Sequence, residues 1–126
     1  MALTIANEMR KAGLDGMCVL LNGGNLRFLT AADTEIALLP LSATAFAAAS
    51  TASPSVALSN AITADTTITA STTIGKFELR TSGNANRLAG TVGVGSGDFQ
   101  VTSATVPPTA TEVTCTGGIS LSLQLS

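Results

Sequence analysis

Apolar positions fall at three- and four-residue steps from Ile5 to Leu21, and at two-residue steps in several later stretches. The first period is that of one face of an α-helix, the second that of one face of a β-strand. The stretch from Thr4 to Thr30 therefore reads as an amphipathic helix, a glycine stop and a first strand. Ile5, Met9, Ala12, Gly16, Met17, Leu20 and Leu21 share the apolar side, while Asn7, Glu8, Arg10, Lys11 and Asp15 fall largely opposite. Met9 and Met17 are expected in the core. An intersubunit contact is the alternative, because methionine adapts to irregular surfaces. Thr4 is placed to cap the first turn through its hydroxyl. Asn22-Gly23-Gly24 is placed to end the last turn, since glycine enters the left-handed C′ conformation without a Cβ clash. Gly13 and Gly16 inside the helix each cost roughly 1 kcal/mol against alanine. Either they are tolerated, or they leave room for another backbone.

Beyond the glycines, residues 25–30 alternate, with Leu26 and Phe28 on one side. Residues 31–35 read as a polar turn, and 36–41 as a short apolar run in which Pro40 marks an edge or a strand end. Small residues fill 42–55, a loop with Phe46 as its one anchor. Val56, Leu58 and Ile62 suggest a strand, and residues 66–70 a β-branched one. In residues 74–81, Phe77 and Leu79 face a core while Lys76, Glu78 and Arg80 face away, as a solvated face or a polar interface of alternating sign. A turn at 83–86 precedes Leu88, Gly90, Val92 and Val94 at period two. Phe99 and Val101 open another strand, Val106-Pro107-Pro108-Thr109 is a rigid turn, and residues 112–116 are a short strand. Ile119, Leu121, Leu123 and Leu125 then alternate with polar residues in a strand buried on one side. One helix followed by about eight short strands predicts a mainly β chain. The expected fold is an antiparallel β-sandwich, jelly-roll-like, with one N-terminal α-helix. Residues 1–24 would pack on the sandwich of residues 25–126 within a single domain, which the length of 126 residues suits.

Composition sharpens this picture mainly at the surface. The chain is 45% hydrophobic but only 11% charged, with four Phe, no Trp and no Tyr, against an average near 25% charged. A hydroxyl-rich surface with so few charges suits a protein that works against neighbours rather than alone in water. The net charge of −2 offers no basic footprint for nucleic acid, and no apolar run is long enough for a transmembrane helix. The N-terminus lacks the basic and apolar regions of a signal peptide, so synthesis and assembly in a cytoplasm are expected. Cys18 and Cys115 lack metal-ligand spacing and histidine is absent, which argues against structural zinc. Both are expected as free thiols in a reducing compartment, a disulfide being the alternative.

Candidate chemistry is thin. Without histidine the usual general base and triad have no member. The eight acidic residues are scattered singly, so a paired-carboxylate hydrolase would need two of them to converge in space. Asp33 and Glu35 are close enough to hold Ca²⁺ weakly through oxygen, but a solvated turn explains them as well. Gly93, Gly95 and Gly97 lack the following helix and lysine of a phosphate loop. The expectation is no enzyme and no cofactor.

The opening of the chain carries a resemblance. Asn7, Arg10, Leu14, Asp15, the junction Leu20-Leu21-Asn22-Gly23-Gly24, Leu26 and residues 46–50 are in place. So are Ala61-Ile62-Thr63, a strand like residues 76–81, and the alternating C-terminal strand. Together they make the chain resemble small capsid decoration (cement) proteins of tailed bacteriophages over most of its length. That resemblance implies a non-enzymatic virion protein, β-sandwich in fold and dimeric or trimeric. It would sit on the outer surface of the head and bridge neighbouring major capsid proteins, with no nucleic acid or membrane as direct partner. Candidate interface residues are Leu3, Ile5, Met9, Phe46 and Pro54, within residues 1–9, the loop 43–53 and exposed strand edges. A tail or baseplate structural protein is the runner-up. A carbohydrate-binding β-sandwich is the reading of another class, weakened by the lack of Trp and Tyr to stack on sugars.

Overall fold

The computed structural model describes residues 5–115 and 118–123. They form a mainly β fold behind one N-terminal helix, with antiparallel pairing in all but one ladder. Strands β1 (Asn25–Leu29), β2 (Glu35–Pro40), β5 (Lys76–Arg80), β6 (Asn86–Gly93) and β7 (Phe99–Gln100) make a five-stranded sheet in the order β2-β1-β5-β6-β7. Two smaller ladders stand beside it: β3 (Ser55–Leu58) with β9 (Ser120–Leu123), and β4 (Thr72–Thr73) with β8 (Thr105–Val106). Nothing in this arrangement supplies the two matched four-stranded sheets of a jelly roll.

The register explains where the core sits. Leu39, Leu26, Leu79 and Leu88 lie side by side across β2, β1, β5 and β6. The next row on the same face is Ala37, Phe28, Phe77 and Gly90. Directly opposed side chains share a face, so these rows are the apolar floor of the molecule. Phe99 stacks edge-on to Phe28 at 5.7 Å between centroids and tilted on Phe77 at 5.3 Å. The opposite face carries Arg27 and Glu78, as the alternation of β5 predicts.

Helix α1 (Asn7–Val19) packs on β3 and β9. Its buried stripe is Arg10, Leu14 and Cys18, continued by Leu21 past the helix end. This corrects the expected face. Met9 and Met17 are 65% and 49% exposed, and Leu20 is 52% exposed, so the methionines lie outside the core. The reason lies in two long-range bonds: Asp15 Oδ1 accepts from the Ala49 backbone N–H at 2.7 Å, and Asn22 Oδ1 from that of Ala45 at 2.9 Å. Those two bonds fix the roll of the helix and turn Leu14 and Cys18 inward. The N-cap is Ala6, with no side-chain bond; Thr4, the expected cap, lies outside the described residues. At the other end Gly23 takes the left-handed conformation, at φ 67°.

Three further expectations are corrected. Val56 and Leu58 point away from the core, which takes Ser55 and Ala57 instead, and Ile62 falls beyond the strand. Residues 66–70 are no strand: Asp65 Oδ2 accepts from the Leu38 N–H at 2.8 Å and its Oδ1 from the Thr67 N–H at 2.8 Å. A carboxylate thus takes the place of a ladder along the outer edge of β2, with Thr69 N–H donating to the Ile36 carbonyl at 3.0 Å. Residues 112–115 are reduced to one bridge, Asp65 with Val113. Leu125, expected in the last strand, lies outside the described residues.

Candidate interaction surface

The charged side chains around β1, β2 and β5 are largely paired with one another. Arg27 Nε donates to Glu35 Oε1 at 2.7 Å and its Nη1 to Glu78 Oε1 at 3.0 Å, while Lys76 Nζ meets Asp33 Oδ1 at 2.8 Å. Asp33 and Glu35, the pair weighed for Ca²⁺, are therefore each held by a cation on a different strand. Among the described residues no cluster of three or more His, Cys, Asp or Glu side chains stands where a metal ion could be held. Glu35 and Glu78 together push the Arg27 guanidinium to still higher pKa, Glu35 contributing most. The depression at this end of the polar face, about 390 Å³, is bordered by Asp33, Lys76, Glu78 and Thr91. Its charges are already paired.

Both thiols are free. Burial pushes Cys18 up, with the Asp15 carboxylate adding to it, and burial alone pushes Cys115 up. Neither is the activated thiolate that nucleophilic chemistry requires.

Of the candidate interface residues, Leu3 lies outside the described residues. Ile5 is half-buried and Met9 stands out into solvent. Phe46 is 5% exposed, its backbone bridging to Ser59, so its ring anchors the loop into the core and offers no surface. Pro54 is exposed, next to the Ser53–Pro54 cis peptide bond. The loop 43–53 is pinned at both ends: Ala47 N–H donates to the Leu58 carbonyl at 2.8 Å and Ser50 N–H to that of Val56 at 2.9 Å. Asn60 Nδ2 donates to the Thr44 carbonyl at 2.7 Å. Ile5, Met9 and Pro54 are thus the described members with accessible side chains.

Asp15 gives this loop a pH dependence. Its carboxyl is held below the usual 3.8, first by the Lys11 ammonium at 2.6 Å and then by the Ala49 N–H. Asp98 is also lowered from 3.8, by the backbone N–H of Thr91 and then by its hydroxyl. A lowered folded-state pKa contributes stability above the unfolded value, lost as pH falls through the folded one. Stability is therefore expected to fall below about pH 4. Asp15→Asn removes one titrating group, so its acid unfolding curve should be flatter than the wild type's in that range. Its loop at 43–53 should also be cut sooner by a nonspecific protease at neutral pH.

An apolar arc lies exposed on α1, the outcome for Met9 and Met17 that was the alternative to burial. Met9, Gly13, Gly16, Met17 and Leu20 occupy adjoining angular positions on the helix, beside the buried stripe. Met17 and Leu20 meet Leu88, Leu121 and the stem of Arg87 around a depression of about 120 Å³. The helical period carries the arc, but periodicity alone does not separate it from the buried stripe beside it. Comparison with family models, with curated proteins and with solved structures finds no significant match to this chain.

Proposed function

We propose that this chain is a non-enzymatic virion structural protein, a decoration protein on the outer surface of a tailed-phage head. In this reading it bridges neighbouring major capsid proteins and associates with itself. The observation that carries the reading is the amount of large apolar side chain left on the surface of a chain with few charges. Met9, Met17, Val19, Leu20, Leu58, Leu88 and Val94 are all exposed, while only 11% of residues are charged. Met17, Leu20 and Leu88 border one depression, and contiguous exposed apolar surface marks a site covered in the working state. The resemblance at Leu20-Leu21-Asn22-Gly23-Gly24 and the strands that follow supplies the phage head as the place. The mechanism is mechanical. Each copy spans a seam between capsomers, and many copies acting together raise the resistance of the shell to the pressure of packaged DNA.

The test is binding to purified expanded capsids that lack decoration. Saturation at a fixed ratio to the major capsid protein, with a higher disruption temperature on heating, is the expected result. Retention on purified tails with none on capsids would sink the reading and assign the protein to the tail.

A further inference from the structure

Among the described residues, strand β6 has one side largely open. Along residues 86–91 it pairs with β5, but on its other side only Val92 and Gly93 pair, in parallel, with β7. The Val92 N–H donates inward to the Gly75 carbonyl at 2.9 Å. By alternation Leu88 and Gly90 also turn their N–H groups toward β5, and Ala89 and Thr91 turn theirs outward, while Arg87 is the extra residue of a bulge opposite the Leu79–Arg80 step. The Thr91 N–H is met by Asp98 Oδ2 at 3.0 Å, which closes the edge at that point. Ala89 is left with outward backbone groups that no other described residue meets, in a strand with no proline or lysine to discourage pairing. The apolar row Leu39, Leu26, Leu79 ends there at Leu88, which is 39% exposed where the first three are fully buried.

We infer that this edge is completed by a second copy of the same chain, β6 pairing antiparallel with β6 about a two-fold axis through Leu88. An antiparallel edge is self-complementary under such an axis. Arg87 of each copy then lies opposite Ala89 of the other, and the outward N–H and carbonyl groups of Ala89 face the second chain. Leu88 faces its own counterpart as a non-hydrogen-bonded pair, where side chains stand closest. The leucine row thereby runs on across the axis into the second sheet.

Two observations single out a second copy as the occupant. The first is charge. Arg87 and Asp98 make no ion pair among the described residues. The axis sets Arg87 opposite the second copy's Ala89, two residue steps from Thr91 and its Asp98 carboxylate. Two steps are about 7 Å along a strand, within reach of an arginine side chain, and the two-fold makes the pair twice. The second is the helix. An axis normal to the sheet puts both apolar floors on the same side, so the α1 arcs with Met17 and Leu20 meet across the axis beside Leu88. A three-residue ladder is too short to hold a dimer, and this arc supplies the remaining apolar area. The inference gives a surface to the self-association in the proposed function and rests on that reading for its role on the capsid. Its test uses the isolated protein, so failure here and failure of capsid binding are separately visible.

Sedimentation equilibrium on the full chain is expected to give a dimer. Ala89→Pro removes an outward N–H without touching the β5 ladder, and Leu88→Asp places two carboxylates at the axis. Each should weaken dimerisation at least tenfold with the far-UV circular dichroism unchanged. Leu88→Cys guards against loss of folding in those variants. Under mild oxidation it should form a disulfide-linked dimer, with wild type, carrying only Cys18 and Cys115, as the control. A monomeric wild type, a trimer, a dimer indifferent to Ala89→Pro, or a Leu88→Cys chain that stays uncrosslinked would each overturn the inference. So would a wild type that dimerises only with an added capsid peptide, which would make the edge a docking strand for another protein.

Discussion

Replacing Leu79 by alanine is expected to lower the unfolding free energy by about 3–5 kcal/mol, at the upper end of the range for leucine truncation. Leu79 is fully buried, flanked by Leu26 on β1 and Leu88 on β6. Both neighbours are fixed by ladders on each side of β5, so the sheet cannot close over the gap. The residual cavity keeps most of its volume, and the cost rises with that volume. A domain of this size has about 5–15 kcal/mol to lose, so the variant should unfold at a markedly lower urea concentration. Leu88→Ala in the same row is the control. Its side chain is partly in water at the sheet edge, and at protein concentrations where the chain is monomeric it should cost less than half as much. Equal costs for the two would mean that the row does not run through the core as the register places it.

The row containing Leu79 was legible because two signals agree in it. Phe77 and Leu79 alternate with Lys76, Glu78 and Arg80, and the cross-strand partners then bury the first pair and ion-pair Glu78. Leu26 with Phe28, the turn after β1 (which ends one residue earlier than expected, Glu35 opening β2), Pro40 at the end of an edge strand and Phe46 as loop anchor were readable too. The helix face was not. Apolar residues occupy two adjoining arcs of α1, and periodicity alone cannot say which of them is covered. The choice was made by the Asp15 and Asn22 side chains reaching the backbone of Ala49 and Ala45, more than twenty residues away in sequence. The same applies to residues 66–70, where β-branched residues suggest a strand but the Asp65 carboxylate holds the segment by single bonds. The parallel contact of β7 with β6 spans only two residue pairs, too few to leave a mark in the pattern. The open side of β6 was invisible for a related reason. A strand's own alternation reports its faces, whereas edges depend on which neighbours arrive.

The glycines of α1 and the stop behind it are expected to answer alanine substitution with opposite signs, and Gly24 carries the largest effect. A Cβ at Gly24 would run into the Arg80 carbonyl oxygen and stand 3.0 Å from that of Leu21. Both are backbone atoms: Leu21 O accepts the Gly24 N–H at 2.9 Å, and Arg80 sits in the β5 ladder. Neither can move aside without breaking a strand or the helix end, so Gly24→Ala should cost about 3 kcal/mol or more, beyond ordinary overpacking. Gly23 differs in kind. Its Cβ would meet only Ser82 Cβ at 4.0 Å, but its φ is 67°, so alanine there should cost about 1–2 kcal/mol of left-handed backbone strain. Gly16 is helical and a Cβ there meets nothing within 4 Å. Alanine at that position should therefore stabilise the fold by about 0.5–1 kcal/mol through the unfolded chain's lost freedom. Chemical unfolding of the three variants would give the order Gly24→Ala, Gly23→Ala, wild type, Gly16→Ala from least to most stable. A silent Gly24→Ala would mean that β1 does not leave the helix against β5. The glycine pair would then be a simple helix stop, with no role in setting the first strand into the sheet.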